Sequence, residues 1–166
     1  MSDGMICCFT GHRKLDPTRL EELSAVLDRV LDGLIREGVT TFRTGGAMGF
    51  DTLAALKILD RKANDPRLVL ELCLPCRDQT RGWEDIHQGY YDNILQRADR
   101  IRYVGEHYTK TCMRERNRML VDGSRFCVAL CTKSVGGSAY TLRYAENRGL
   151  RVINLAGMLA QRETNY

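Results

Sequence analysis

The sequence predicts one α/β domain over residues 1–166, with a doubly wound, mostly parallel sheet of about six strands between two layers of helices. Short apolar, β-rich runs alternate with stretches of helical periodicity along the whole chain. No repeat, low-complexity linker or break in composition interrupts this alternation. A chain of 166 residues is long enough to bury a core without disulfides or metal. We therefore expect a single unit with right-handed crossovers between its parallel strands.

The first half of the chain predicts three strands and two helices. Residues 5–9 form the first strand, and the helix that follows carries leucine and valine at spacings of three and four until Gly38 ends it. Residues 40–44 form the second strand, which a glycine-rich turn joins to an amphipathic helix. Residues 67–75 form a third strand that is apolar enough to be buried on both faces.

The second half of the chain continues this alternation. Its predicted elements are a helix-rich passage over 83–98, a strand over 100–104, a helix over 111–122, a strand over 126–132, a helix over 139–149 and a strand over 151–155. Ligands in such sheets bind at the carboxyl ends of the strands. The loops that follow the strands are therefore where a site is expected.

Charge and composition limit the classes of function. The 25 basic residues give a net charge of +4 and are mostly arginine, the better bidentate partner for phosphate. The sequence has no basic tail and no alternation of aromatic and basic residues, which argues against nucleic acid as a partner. No segment has the ~20 consecutive apolar residues that cross a membrane, and the start does not resemble a signal peptide. We expect a cytoplasmic protein with no membrane partner.

Two loops at the expected site carry adjacent glycines directly before a helix. They read R-T-G-G-A-M-G-F-D after the second strand and C-T-K-S-V-G-G-S-A-Y-T after the fifth. Such turns let backbone N–H groups approach an anion and add the dipole of the helix. Neither loop matches the dinucleotide fingerprint or the P-loop, but the two together favour a phosphate site. The hydroxyl groups of Ser138 and Thr141 lie close enough in sequence to supplement the amides.

The loop after the first strand, T-G-H-R, provides Thr10, His12 and Arg13. Arg13 is the natural cation for an anionic ligand. His12 either belongs to the site or is a loop histidine that bonds the backbone. Asp51 either begins a helix, where a carboxylate suits the dipole, or accepts hydrogen bonds from ribose hydroxyls.

Two further segments each have two interpretations. Trp83, the only tryptophan, follows Gln79 in a loop at the same edge of the sheet and either stacks on a base or covers the core. Arg116 and Asn117 are close together on a predicted helix and point at the cleft, unless Arg116 is a surface charge like its neighbours.

The seven cysteines are expected to be reduced core residues. Cys73 and Cys76 have the C-x-x-C spacing of a redox or zinc pair, but no second pair completes a zinc site. Cys127 and Cys131 are expected on one face of the fifth strand, too far apart for a disulfide. Since no histidine has a second ligand at metal spacing, we expect no metal.

Five segments taken together resemble the YpsA-like group of the SLOG superfamily, relatives of the DprA and LOG proteins. They are CFTGHR, TGGAMGFDTLAA, LPCRDQTRGW, RADRIRYVGEHYTKTCMRERNRMLVD and VGGSAYTLRYAENRGLRVINL. The resemblance implies a Rossmann-like sheet and recognition of a nucleotide or nucleotide-derived ligand such as ADP-ribose or NAD, with no cofactor required. By position it implies a ligand site of Thr10, Gly11, His12, Arg13, Gly45, Gly46, Gly49, Asp51, Gln79, Trp83, Arg116, Asn117, Gly136, Gly137 and Ser138.

The resemblance to LOG phosphoribohydrolases is incomplete. Those enzymes carry P-G-G-x-G-T-x-x-E, whose glutamate serves the cleavage of the glycosidic bond. Here Val135 replaces the proline, and Arg143 or Tyr144 falls where the glutamate would be. We therefore expect ligand binding or sensing rather than an enzyme.

Two other functions are weighed against ligand binding. A nucleotide-processing hydrolase would need a general acid or base near the cleft, for which Asp51, Asp99 and His12 are the candidates. Single-stranded DNA binding, as in DprA, would need the basic and aromatic stripe that the sequence lacks. A homo-oligomer is compatible with the fold, although the sequence shows no seam for one.

Overall fold

The computed structural model describes residues 4–159 and confirms a Rossmann-like α/β fold, in which a parallel sheet of six strands lies between two layers of helices. The remaining ten residues of the predicted domain, 1–3 and 160–166, lie outside the described part. The strands are β1 (Met5–Gly11), β2 (Val39–Thr44), β3 (Val69–Cys76), β4 (Arg100–Gly105), β5 (Phe126–Leu130) and β6 (Arg151–Asn154). The helices are α1 (Leu20–Glu37), α2 (Phe50–Lys62), α3 (Asp85–Arg97), α4 (Cys112–Val121), α5 (Gly137–Asn147) and α6 (Leu155–Leu159), with a 3-10 turn at Pro17–Arg19.

The order of the strands across the sheet, β4-β3-β2-β1-β5-β6, places β1 at the centre. Both neighbours of β1 run parallel to it, and its pairing with β5 brings Phe9 opposite Val128 and Gly11 opposite Leu130. The chain winds outward from β1 to β4 and then returns to the other side of β1. The change of direction between β1 and β5 creates a crevice at their carboxyl ends.

One face of the sheet carries the larger apolar core. Helices α1, α2, α3 and α6 cover this face, and Phe9, Phe42 and Phe50 are fully buried in it. The rings of Phe9 and Phe42 stack with 5.9 Å between their centroids. Burial of side chains of this size stabilises the fold by about 1.5–3 kcal/mol each.

The opposite face, under α4 and α5, combines a smaller apolar cluster with a buried ion pair. The Nε atom of Arg43 on β2 lies 3.1 Å from Oε1 of Glu71 on β3, and both side chains are nearly inaccessible to water. Arg43 also donates to the carbonyl oxygen of Asp122 over 2.7 Å. This arginine therefore ties two strands to the end of α4.

The ends of several elements differ from those predicted. Strand β1 continues to Gly11 because Thr10 and Gly11 keep pairing with β5. Strand β5 ends at Leu130, so Cys131 lies beyond the strand on which it was predicted. Helix α6 was missed because five residues are too few to show a helical period. Within residues 4–159, no helix is both long and apolar enough to cross a membrane.

Candidate functional site

A cleft of about 910 Å³ opens at the carboxyl ends of β1 and β5, where the sheet changes its winding direction. The loop after β1, the loop before α5, the first turn of α5 and one side of α4 form its walls. It is lined by Phe9, Thr10, Gly11, His12, Arg13, Lys14, Ala47, Asp51, Met113, Arg116, Asn117, Leu120, Cys131, Thr132, Lys133, Val135, Gly136, Gly137 and Ser138. Another depression, of about 880 Å³, lies around the amino ends of β1, β5 and β6, where Arg151 already pairs with Glu37.

The first turn of α5 faces the cleft. Gly136 precedes this helix with a φ of 104°, a backbone conformation that favours glycine, and no side chain of the described residues caps the helix. Gly137 and Ser138 are its first two residues, and both line the cleft. The first N–H groups of a helix have no partner within the helix and carry the positive end of its dipole. This turn therefore has the chemistry of an anion site.

Basic side chains surround that turn. Arg13, Lys14 and Lys133 all line the cleft and are exposed to solvent. They come from two loops that are far apart in sequence, so no basic stripe is visible in the chain itself. Lys14 and Lys133 were missed as site residues, although Lys133 stands in the loop that carries the second glycine pair.

His12 is held by the backbone of the neighbouring loop. Its Nε2 atom accepts a hydrogen bond from the N–H of Thr132 over 3.0 Å and lies 3.0 Å from the hydroxyl of the same residue. Burial, followed by the charge of Lys133, lowers the pKa of His12 below its usual 6.5. The ring is therefore neutral near pH 7, and the nitrogen that a general base would use is already bonded.

Asp51 and Arg116 are two buried residues of opposite charge in the wall of the cleft. Asp51 accepts a bond from the N–H of Ala47 at Oδ2 over 3.2 Å, whereas its Oδ1 has no hydrogen-bond partner among residues 4–159. Burial raises the pKa of Asp51, and the charge of Arg116 is the main influence that opposes this. Burial likewise lowers the pKa of Arg116. Of the two interpretations of Arg116, the structure supports a place in the cleft, since only 6% of the residue is exposed.

Arg116 also connects the cleft to the glycine loop after β2. Its Nε donates to Oδ1 of Asn117 over 2.9 Å, and its Nη1 donates to the carbonyl oxygen of Gly45. A Cβ at Gly45 would lie 2.5 Å from that Nη1 atom. A side chain at this position would therefore displace the guanidinium of Arg116 from the carbonyl oxygen of Gly45.

The glycine loops after β2 and before α5 have different roles, whereas the sequence predicted a phosphate site in each. Gly45, Gly46 and Gly49 do not line the cleft; they lie behind its wall. At the start of α2 the N–H of Phe50 donates to the carbonyl of His12, and the Asp51 carboxylate fills the place of an anion. The loop after β2 therefore supports the wall, and of the two glycine loops only the one before α5 leads to an unfilled first turn at the cleft.

Gln79 and Trp83 line an adjoining cavity of about 430 Å³ and not the cleft itself. The indole ring of Trp83 makes an edge-on contact with the ring of Tyr91, with 5.6 Å between centroids. Arg13 and Met113 line both cavities and form the boundary between them.

Of the three hydroxyl residues predicted for the site, Thr10 and Ser138 line the cleft and Thr141 is buried within α5. The Thr10 hydroxyl lies 3.5 Å from that of Ser138, and both residues line the cleft. Thr141 is fully buried and donates to the carbonyl oxygen of Gly137 over 2.9 Å, so it supports the first turn of α5 from behind. Thr141 was predicted to supplement the amides of this turn; its hydroxyl does not line the cleft, because it lies one helical turn beyond Ser138.

Asp99 was wrongly placed near the cleft. It immediately precedes β4, so it lies at the amino end of the sheet, where its carboxylate accepts a hydrogen bond from the N–H of Leu70 over 2.8 Å and pairs with Lys62.

The prediction that the cysteines are reduced core residues is confirmed: all seven are free and buried. Burial raises the pKa of Cys73 to about 12 and that of Cys76 to about 11, which makes both poor nucleophiles.

The fold and the cleft define a class: a Rossmann-like α/β protein with a basic cleft at the point where its parallel sheet changes winding direction. Comparison with known families is more specific. The sequence model of the YpsA group, described as the YspA SLOG family, matches residues 7–152. The chain belongs to this family.

A relative with the same overall extent is the UPF0398 protein of Bacillus pumilus. It is 26% identical over 152 residues, which are 86% of this chain and 82% of the relative. The similarity thus covers most of both chains.

Solved structures with the same fold include two DNA processing proteins A. The Helicobacter pylori protein has a TM-score of 0.61 at 17% identity, covering 90% of this chain and 64% of that one. The Streptococcus pneumoniae protein, DprA, has a TM-score of 0.56 at 14% identity, covering 98% and 63%. This chain therefore spans somewhat less than two thirds of each, and the likeness shows the fold.

The H. pylori protein is described by its single-stranded DNA binding mode. This finding overturns the prediction that argued against nucleic acid as a partner. The prediction failed for a physical reason: it looked for a basic and aromatic stripe along the sequence. The fold instead brings Arg13, Lys14 and Lys133 together from separate loops.

Proposed function

We propose that the protein binds a nucleotide or a nucleotide-derived ligand in the cleft, with a phosphate group at the first turn of α5. The observation that carries the proposal is the uncapped start of α5, which faces a cleft of about 910 Å³ between Arg13 and Lys133. Backbone N–H groups, a helix dipole and two exposed cations at one place suit a phosphate better than an apolar or cationic ligand.

Asp51 supports a nucleotide rather than inorganic phosphate. Asp51 lines the cleft, and its Oδ1 is buried without a hydrogen-bond partner among the described residues. A buried acceptor without a partner costs about 1–3 kcal/mol, which a ligand hydroxyl can recover. A ribose offers two such hydroxyls beside its phosphate, so Asp51 is the residue that we propose binds the sugar.

Binding or sensing is favoured over hydrolysis because two of the three candidate acid–base residues are unavailable for catalysis in the cleft. The Nε2 atom of His12 is bonded to Thr132, and Asp99 is at the other end of the sheet. Asp51 is the one remaining candidate of the three. Incubation with nucleoside monophosphates followed by chromatography tests this view, since release of free base or of phosphate would establish an enzyme.

Isothermal titration calorimetry with AMP, ADP-ribose and NAD tests the proposal. Loss of one charge-assisted contact costs about tenfold or more in affinity, so we expect Arg13→Ala to weaken binding by at least that factor. Gly137→Leu should abolish binding by filling the anion site, since a Cβ there meets only Asn117, at 3.9 Å. Arg29→Ala, on the exposed side of α1, is the matched control and should bind like the wild type. Absence of heat with all three ligands, or equal affinity of Arg13→Ala and Arg29→Ala, would contradict the proposal.

Single-stranded DNA is the second candidate ligand. It is supported by the shared fold with the H. pylori protein and by the basic side chains that converge at the cleft. Fluorescence anisotropy with a labelled oligonucleotide at several salt concentrations tests it. Backbone contacts by Arg13, Lys14 and Lys133 predict that affinity falls steeply with salt. Affinity that does not change between wild type and Arg13→Ala would remove this candidate.

A further inference from the structure

An alternating row of arginine and tyrosine side chains lies along the outer surface of α4 and α5. We call it the arginine-tyrosine strip; its members are Arg114 and Arg118 of α4, Tyr140 and Tyr144 of α5, and Arg148 directly after α5. The three arginines are exposed to solvent and the two tyrosines are half-buried. None of the five residues lines the cleft.

Each side chain of the strip is held against the next. The rings of Tyr140 and Tyr144 are parallel within 8°, with 6.3 Å between their centroids. The guanidinium carbon of Arg114 lies 5.2 Å from the ring centroid of Tyr140. Those of Arg118 and Arg148 lie 5.6 and 5.8 Å from the ring centroid of Tyr144, and Nε of Arg118 donates to the hydroxyl of Tyr140 over 2.8 Å. These contacts restrict the long arginine side chains before a partner arrives, which lowers the entropy lost on binding.

The guanidinium groups keep N–H donors free at their edges. Arg114 has no hydrogen-bond partner among the described residues, and Arg118 donates to them only from Nε. A guanidinium has five N–H donors in one plane and binds a carboxylate through two of them at once. Arginine and tyrosine are also the residue types that are enriched among the strongest contributors to binding at protein interfaces. A row of both with unused donors therefore has the composition of a docking surface.

The surface around the strip favours a negatively charged partner. Asp122 accepts a hydrogen bond from the hydroxyl of Tyr144 over 2.7 Å and lies 3.7 Å from Nε of Arg148, so one carboxylate faces three arginines. Arg148 also lines the depression of about 880 Å³ at the amino ends of β1, β5 and β6, which Arg125 lines as well. Positive charge therefore continues beyond the end of α5.

Two features favour the carboxylates of a protein over the phosphates of a nucleic acid. Each tyrosine ring already contacts a guanidinium, and Tyr144 contacts two, so less ring surface is left on which a base can stack. Asp122 lies within the row, where it repels a continuous line of phosphates, whereas a protein can place its acidic side chains on either side of it. Arg114 and Arg118 are four residues apart, about 6 Å along the helix, which is also the spacing of acidic residues at i and i+4 of a partner helix.

We propose that the arginine-tyrosine strip is a docking surface for an acidic segment of another protein. Carboxylates of this segment bind the free guanidinium edges of Arg114 and Arg118, and the segment runs along α4 and α5 toward Arg148. The proposal does not depend on a ligand in the cleft, because no residue of the strip lines the cleft.

Fluorescence anisotropy with fluorescein-labelled octaglutamate tests the proposal on the whole chain. Loss of one exposed ion pair changes affinity by about 2- to 5-fold, so the double variant Arg114→Gln/Arg118→Gln should bind the peptide about 4- to 25-fold more weakly than the wild type. The matched control is Arg29→Gln/Arg36→Gln, which removes the same charge from exposed positions of α1 and should bind like the wild type. Absence of binding by the wild type, or an equal loss in the two double variants, would overturn the proposal.

A third variant separates weaker binding from a damaged fold. Asp122→Asn removes the carboxylate from the strip and retains an oxygen for the hydroxyl of Tyr144. It should therefore bind octaglutamate about 2- to 5-fold more tightly than the wild type, a gain that a damaged fold cannot produce. Affinity that does not rise in this variant would contradict the proposal.

Other occupants of the strip are outcomes of parallel measurements. Labelled octathymidylate tests nucleic acid: if it binds more tightly than octaglutamate and loses affinity in Arg114→Gln/Arg118→Gln, the proposal is wrong. Sedimentation velocity tests a second copy of this chain, since self-association of the wild type that the same double variant abolishes would assign the strip to a homo-oligomer and overturn the proposal. Finally, a loss of octaglutamate affinity in Arg13→Ala as large as in that double variant would place the peptide in the cleft and also overturn it.

Discussion

The Nε2 atom of His12 accepts a hydrogen bond from the backbone N–H of Thr132, 120 residues later in the chain, over 3.0 Å. This bond joins the loop after β1 to the loop after β5, the two loops that provide the basic side chains of the cleft. His12 can accept it only while Nε2 is unprotonated. The shape of the cleft is therefore linked to the protonation of one histidine.

Acidification should weaken the fold through His12. Because burial lowers its pKa below 6.5, the unfolded chain takes up the proton first, and stability falls from about pH 6.5 down through the lower pKa of the folded state. His12→Gln offers Thr132 an acceptor that does not titrate, so this part of the pH dependence should disappear. Urea unfolding at pH 5 and pH 7.5 measures it. An equal loss of stability on acidification in the variant and the wild type would show that the bond is not responsible.

Gly49→Ala should be far more destabilising than Gly82→Ala. Both glycines have a positive φ, 77° and 81°, so alanine is strained at either position. A Cβ at Gly49 would also lie 2.4–2.6 Å from backbone atoms of His12 and Arg13, whereas a Cβ at Gly82 would meet nothing within 4 Å. We expect a loss of about 3 kcal/mol or more at Gly49 and about 1 kcal/mol at Gly82. Urea midpoints give both values, and equal losses would disprove the importance of the close approach.

Asp51 and Arg116 should be energetically coupled. Removing either charge leaves the other buried without compensation, so Asp51→Asn and Arg116→Met should each destabilise the fold, and the double variant should lose less than their sum by about 1 kcal/mol or more. In Arg116→Met the carboxyl of Asp51 is buried alone, so this variant should become more stable relative to wild type as the pH is lowered from 7 to 5. A double-mutant cycle by urea unfolding measures the coupling, and strictly additive losses would argue against it.

Arg43→Met should destabilise the fold by about 3 kcal/mol, because it removes one member of a buried ion pair and a donor to the end of α4. Arg102→Met is the control. Arg102 also contacts Glu71, at 3.3 Å, but its side chain is 49% exposed, and exposed pairs contribute about 0–1 kcal/mol. Calorimetric melting compares the two. A similar effect from both variants would mean that burial does not determine the strength of the contact.

The position of the cleft could be predicted from the sequence because it depends on local patterns. The apolar run at residues 5–9 and the one after Arg125 indicate strands, and the residues that follow parallel strands must meet at one edge. Glycine pairs also identify sharp turns before helices. This reasoning located Arg13, Gly137 and Ser138 in the cleft.

The roles within the cleft could not be predicted, because they depend on contacts between distant residues. The burial of Arg116 results from its bond to Gly45, 71 residues earlier, and that contact also explains why Gly45 is a glycine. Both glycine loops look alike in sequence, but Asp51 fills the start of α2 from within. Asp99 was predicted near the cleft although it precedes β4, and a residue that precedes a parallel strand lies at the amino end of the sheet, opposite the cleft.

The central position of β1 also affects how the chain folds as it leaves the ribosome. A chain that has emerged from the ribosome only as far as Gly123 contains β1 to β4 but leaves one side of β1 without a partner. That side is an apolar edge until Phe126–Leu130 pairs with it, and such edges promote association with other chains. The same pairing completes the cleft. The cleft of the proposed function therefore forms only after β5 has joined the sheet.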